Sequence, residues 1–403
     1  MSDFFQNGIV ATFHRLGKIN IERLENELLE FSTRKPITLV LPSLYSEMHG
    51  EGLKIIVDEL KHVNYLREIV LTLGPADKEQ FLEMKKFITQ LPQKVNIIWN
   101  SGPRIQALYE ELIANDLNPG PDGKGRSTWM ANGYILAKRE SPVIAIHDCD
   151  IITYSREMLG WLIYPVASDR LDYEFCKGYY SRVTDKMHGR VTRLFVTPLL
   201  RALMNVTGEF DILRYFNSFR YILAGEFSMT QELARINRIP ADWGLEVGVL
   251  AEIYRNCSLP RICQAELCDN YEHKHQELSA EDKNKGLNKM AIDIAKSIFR
   301  TLASEGVVYN FGFFNTLRTA YQRVAEDLVV KYRGDAMING LHYDKHEEEA
   351  AVSVFSQAIK YASQVILDDP LGPPMIPNWT RVFSAIPDFE QRLLEAVTLD
   401  NEE

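Results

Sequence analysis

The chain has 403 residues, 46% of them hydrophobic, enough for one large domain plus a smaller one around a well-buried core. A formal net charge of -10 with no long lysine or arginine block argues against general nucleic-acid binding, so an anionic ligand must meet a local basic pocket. The five cysteines make no CxxC pair, and neither a basic-then-apolar leader nor a run of 18 apolar residues occurs; a disulfide framework, a zinc ribbon and a membrane span are not expected, and the cytoplasm is the expected compartment.

After an N-terminal extension (1–35), strands and helices alternate. PITLVLP (36–42) reads as a strand and GEGLKIIVDELKHV as a helix. REIVLTLG (67–74) and KVNIIWN (94–100) are further strands, with the helical pattern DKEQFLEMKKFITQL between them. The helix RIQALYEELIAND leads into a glycine-rich loop, NPGPDGKGR (118–126), then a helix from Ser127 to about Lys138. This spacing implies βαβ units, an α/β fold and a parallel sheet, with ligands beyond the carboxyl ends of the strands. The loop offers close backbone approach and the charges of Lys124 and Arg126 before a helix N-terminus, a combination that suits phosphate, although it is not the GxxxxGK[ST] pattern; alternatively it is a solvated surface loop.

The next strand, VIAIHDCDII (143–152), ends in two aspartates one residue apart. In an extended segment Asp148 and Asp150 share a face while Cys149 looks away. Two carboxylates so close repel unless a positive group lies between them. A hard divalent cation, Mg²⁺ or Mn²⁺, that itself holds phosphate oxygens satisfies this, so the motif implies a metal-diphosphate site.

From about residue 290 the pattern becomes helical. NKMAIDIAKSIFRTLASEG, FNTLRTAYQRVAEDLVVKYR and HEEEAAVSVFSQAIKYASQVI have apolar positions three and four apart. Four prolines between 370 and 377 interrupt the region before a last helix near PDFEQRLLEAV. The apolar stripes require burial against the catalytic domain, in a subunit interface, or both; a homodimer is the expected assembly.

Three further stretches follow the aspartates: HGRVTRLFVTPLLRALM (188–204), LAGEFSMTQELARINRIPADWGLEVGVLAEIYR (223–255) and YEHKHQEL (271–278). With Asp148 and Asp150, the matching residues are Gly189, Arg190, Val191 and Thr192; Gly225 and Glu226; Gly244, Glu246 and Gly248; and Glu272 with His273. In this order they resemble the glucosyl-3-phosphoglycerate synthase family, retaining glycosyltransferases of the GT-A fold (family 81), over roughly residues 36–290. The resemblance implies a GT-A (Rossmann-like) nucleotide-sugar-binding domain over 36–290 and a mostly α-helical region over 291–403. It further implies transfer of glucose from a nucleoside-diphosphate-glucose such as UDP-glucose to 3-phosphoglycerate, yielding a precursor of the compatible solute glucosylglycerate.

By the same resemblance Asp150 and His273 hold Mg²⁺ or Mn²⁺. Pro42, Leu44, Lys124, Asp148, Cys149 and Glu246 form the donor side, and Gly189, Arg190, Thr192 and His275 the acceptor side. Asp148, Asp150, Glu226 and His273 form the catalytic group. Two departures stand out: LPSLYSE places Tyr45 and Ser46 in the early nucleotide loop, and EHKHQ places His275 and Gln276 where the family has asparagine and arginine. Read from its own surroundings, Glu226 orients a sugar hydroxyl or the acceptor, or caps the helix that follows, while Glu246 is a polar pocket member or the buried partner of an arginine. No covalent nucleophile is assigned, and the cysteines read as filler. Other readings of the motifs are a transferase with another donor sugar or base, such as GDP-mannose, or with another small anionic acceptor; a phosphatase of the haloacid dehalogenase type; and a noncatalytic sugar-nucleotide sensor.

Overall fold

The computed structural model describes residues 6, 8–208, 210–240, 244–273 and 286–403. In chain order the first elements are β1 (Ala11–Phe13), α1 (Ile21–Ser32), β2 (Ile37–Ser43), α2 (Glu51–Leu60), β3 (Leu66–Leu73), α3 (Lys78–Ile88), β4 (Val95–Trp99), α4 (Pro103–Ala114), α5 (Lys124–Lys138) and β5 (Val143–Ile146). There follow α6 (Arg156–Ala167), β6 (Phe175–Tyr180), α7 (Thr197–Thr207), α8 (Asp211–Ser218), β7 (Phe227–Thr230), α9 (Gln231–Ile236), α10 (Leu245–Asn256) and β8 (Ile262–Cys268). The C-terminal helices are α11 (Gly286–Ser304), α12 (Phe311–Ile338), α13 (Lys345–Asp368), α14 (Trp379–Ala385) and α15 (Phe389–Glu402).

The strands form one sheet in the order β1-β8-β6-β7-β5-β2-β3-β4. Strands β2 and β3 are buried on both faces over most of their length, as their largely apolar runs require: Ile37, Leu39 and Leu41 pack with α1, α2, α3 and α6, while Val40 and Val70 join the opposite core with α4 and α5. Helix α3 starts on a capping box in which the Asp77 carboxylate accepts the Gln80 N–H at 2.9 Å and the Gln80 side chain accepts the Asp77 N–H at 3.0 Å. The chain runs outward from β2 through β3 to β4, then returns to the other side of β2 as β5. Between the ends of β2 and β5 lies the switch point, where a doubly wound sheet opens a crevice.

Three expectations need correction. The sheet is mixed: β7 runs antiparallel to both β5 and β6. Its four residues are too few for periodicity to reveal direction. The consequence is functional, because Phe227 begins β7 beside Ile146 and Lys177, so the preceding Gly225 and Glu226 lie at the same edge as the aspartates. Second, the segment before residue 36 is built into the fold rather than appended: β1 pairs with β8, and α1 buries Leu24, Leu28 and Phe31 in one core. Third, α5 begins at Lys124 instead of Ser127.

The C-terminal helices cover the catalytic sheet. The α11, α12 and α13 apolar stripes enter the same core as α5 and α7. Helix α14, too short for a periodic signal, inserts Trp379 over α5. Helix α15 shields the edge strand β4: the Asn401 side chain accepts the Ile97 N–H at 2.9 Å and donates to the Ile97 carbonyl at 2.8 Å. Among the described residues no helix is long and apolar enough to cross a membrane.

Candidate active site

A cleft of about 1350 Å³ opens beyond the carboxyl ends of β2 and β5. Pockets for one drug-sized ligand run to roughly 1,000 Å³, so this one has room for two molecules side by side. Pro42, Leu44, Lys124, Asp148, Cys149, Asp150, Gly189, Arg190, Thr192, Glu246 and His273 all line it. His275 and Gln276 lie outside the described residues.

Strand β5 ends at Ile146, and the aspartates follow in the turn beyond it. Cys149 is buried and Asp148 and Asp150 are partly exposed, which is the alternation read from the sequence. Burial pushes the Cys149 thiol well above its usual range, so it is an inert part of the floor. Lys124, at the first position of α5, places Nζ 2.6 Å from Asp148 Oδ1 and 3.5 Å from Glu246 Oε1. Desolvation opposes its charge, but Asp148 and Glu246 outweigh that and raise its pKa; the Asp148 carboxyl is held low against its own desolvation by Lys124. Glu246 therefore pairs with a lysine of the cleft, not an arginine. Arg126 does not reach the cleft: it pairs with Asp122 at 2.7 Å and lies over the Tyr109 ring.

Gly225 borders this pair without room for a side chain. A Cβ there would lie 2.4 Å from Asp148 Oδ2 and 2.9 Å from Lys124 Nζ.

His273 reaches Asp150 through a local strand-like pairing. The Ile152 N–H donates to the Glu272 carbonyl at 2.8 Å, Ile151 and His273 form an isolated bridge, and His273 Nδ1 stands 3.2 Å from Asp150 Oδ2. Ligand atoms on adjacent corners of an octahedron with bonds of about 2.1 Å lie about 3.0 Å apart, so the pair fits two neighbouring positions around Mg²⁺ or Mn²⁺. Among the described residues no three His, Cys, Asp or Glu side chains form a closed cage. The remaining positions suit phosphate oxygens and water.

Glu226 stands behind the cleft wall. It is fully buried, and its carboxylate accepts hydrogen bonds from Tyr180 Oη at 2.8 Å and Tyr271 Oη at 2.7 Å. Burial and then Asp148 raise its pKa against those two bonds. It caps no helix: α9 is capped by the Thr230 hydroxyl, which accepts the Leu233 N–H.

On the opposite wall the chain widens into a π-helical turn, Val191–Val196, closed by the Thr197 N–H on the Thr192 carbonyl. Gly189, at φ +70°, allows the entry into this turn, where Arg190 faces the cleft. Thr192 Oγ1 is buried with no hydrogen-bond partner among the described residues, a hydroxyl available to a ligand.

Several site residues were not singled out in the sequence. Lys177, in β6, is buried and donates from Nζ to the Ala224 carbonyl at 2.6 Å, fixing the strand entry that carries Gly225; burial pushes its pKa down to about 8. A lysine inside the strand FCKGYY is a local signal, because a charge in an apolar run requires a partner. Tyr180 and Tyr271 stack at 3.8 Å between centroids and carry no comparable signal. Glu347 of α13 also lines the cleft.

A mixed α/β sheet with an acidic pair at its switch point, a lysine beside that pair and a two-ligand cleft define a metal-dependent glycosyltransferase of the GT-A type. No family model matches the sequence. The glucosyl-3-phosphoglycerate synthase of Persephonella marina is 48% identical over 100% of this chain and 99% of its own length, and that of Methanococcoides burtonii 39% identical over 100% and 98%. The chain belongs to the glucosyl-3-phosphoglycerate synthase family. The Mycobacterium tuberculosis glucosyl-3-phosphoglycerate synthase, solved with Mg²⁺ and UDP, shares the fold at a TM-score of 0.53 and 21% identity, covering 75% of this chain and 89% of that one. A second structure of it, with Mn²⁺, UDP-glucose and phosphoglyceric acid, also aligns at 0.53.

Proposed function

We propose that this protein transfers glucose from UDP-glucose to 3-phosphoglycerate with retention of configuration. The observation that carries the reading is the two-sided cleft: Asp148, Asp150, His273 and Lys124 on one wall, Arg190 and Thr192 on the other. Full-length relatives named for this activity support it. Asp150 and His273 would hold the divalent metal. When bound, Mg²⁺ or Mn²⁺ offsets the charge that develops on the departing diphosphate. The free N–H groups in the first turn of α5 and the Lys124 ammonium face the same diphosphate, with Pro42 and Leu44 beside the base. Asp148 orients Lys124 and the sugar, and Glu226 holds Tyr180 and Tyr271 as a rigid wall behind it. By the family resemblance alone, His275 would serve the acceptor.

Initial rates of nucleoside diphosphate release over a matrix of donors and acceptors, with Mg²⁺, Mn²⁺ or EDTA, test the reading. UDP-glucose with 3-phosphoglycerate is the expected best pair, and EDTA abolishes release. Donor binding without acceptor-dependent release would leave a sensor instead. The product is expected to be α-linked from an α-linked donor; a β anomeric coupling by NMR would overturn retention.

Arg190→Lys keeps the charge but loses the planar fork that grips a phosphate. The acceptor KM rises roughly tenfold while the donor KM stays nearly constant. An unchanged acceptor KM would remove Arg190 from the acceptor site.

We further place the protein in the cytoplasm as a homodimer. Its five cysteines are free and buried, as in a reducing compartment. Val330, Met337 and Ile338 share one exposed face of α12, an apolar strip fit for a subunit contact. A monomer mass by analytical ultracentrifugation would exclude the dimer.

A further inference from the structure

We propose that Glu347, in the first turn of α13, is an internal competitor for the acceptor's phosphate at Arg190 and thereby sets acceptor affinity. This rests on the reading of Arg190 as an acceptor-binding residue.

Two adjacent carboxylates meet the basic turn, and they differ. Glu348 is almost completely buried and accepts from Arg193 Nη1 at 2.7 Å, Arg193 Nη2 at 3.2 Å and Arg190 Nε at 3.1 Å. Arg193 in turn donates to the carbonyls of His188 and Met187, and the His342 N–H donates to the Asp185 carbonyl at 2.8 Å. These bonds tether the start of α13 to segment 185–193 without help from Glu347. Breaking such a buried pair leaves a charge uncompensated, so Glu348 is structural.

Glu347 has a different setting. Its side chain is 61% exposed, it lines the cleft where Glu348 does not, and its carboxylate accepts from Arg190 Nη2 at 2.7 Å. The guanidinium edge that would grip a phosphate therefore already holds an anion of similar geometry. An exposed ion pair is worth little, so a phosphate dianion, which makes stronger charge-assisted bonds, displaces it at small cost. A displaced Glu347 remains beside the incoming anion and repels it. Both effects weaken acceptor binding without touching the donor wall.

The test is acceptor dependence at saturating UDP-glucose for the parent, Glu347→Gln, Arg190→Gln and the double variant. Glu347→Gln is expected to lower the 3-phosphoglycerate KM roughly two- to fivefold, with kcat and donor KM unchanged. In the Arg190→Gln background, where KM is already raised, the same substitution has a smaller effect, because only the direct repulsion remains to be relieved; an equal fold-change in both backgrounds would overturn competition at Arg190. Glu348→Gln serves as the contrast and lowers thermal stability. If Arg190→Gln raises the acceptor KM but Glu347→Gln leaves it unchanged or raises it, the competitor role is overturned and the acceptor site stands. An Arg190→Gln variant with unchanged acceptor KM would refute the acceptor reading itself, and the competitor with it.

Discussion

Asp150→Ala lowers sugar transfer about 100-fold or more, the scale of losing a principal electrostatic stabiliser of the leaving group. Its carboxylate is partly exposed and, among the described residues, its close partner is the His273 ring at 3.2 Å, so little of the described fold depends on it. The backbone pairing of Ile151 with His273 and of Ile152 with Glu272 survives the change. Stability should therefore move by no more than about 0.5 kcal/mol. Steady-state rates over a Mg²⁺ titration, beside a thermal melt, separate the two effects. Near-parent turnover at saturating Mg²⁺ would remove Asp150 from the metal site; a large drop in melting temperature would make its role structural.

Trp379→Ala acts in the opposite sense, on stability before activity. Its ring is fully buried, stacked on Trp129 with centroids 4.1 Å apart, and its indole N–H donates to the Trp129 carbonyl at 2.9 Å. The Trp129 indole reciprocates by donating to the Pro377 carbonyl at 2.7 Å. Gly133 makes the fit possible, since a Cβ there would stand 2.1 Å from Trp379 Cζ2. Removing the ring leaves a large cavity and takes one hydrogen-bond donor from the Trp129 carbonyl, at a cost of roughly 3–5 kcal/mol. Because α5 carries both Trp129 and Lys124, the cleft wall proposed to hold the donor loosens as well, and a raised donor KM is expected. Chemical denaturation measures the first effect, and a loss under about 1 kcal/mol would show that the C-terminal region contributes little to holding α5.

The sequence by itself determined the alternation from β2 to β5, the position of the aspartates at a strand exit and the motifs that assemble in the cleft. Each of these is local: a period of two or 3.6, a charge pair one residue apart, a run of small residues. The same local logic failed at β7, whose four residues do not reveal that it runs antiparallel. It left Glu226 between orienting a ligand and capping a helix, and did not reveal that it is clamped by tyrosines 46 and 45 residues away. The C-terminal helices were legible as amphipathic, yet not what they cover: Asn401 closes the β4 edge from 304 residues away, and Glu347 meets Arg190 across 157. An amphipathic stripe states only that a face must leave water; which surface receives it depends on how the whole chain returns. Tertiary structure alone decided that Glu347, near the end of the chain, lines the cleft and pairs there with Arg190.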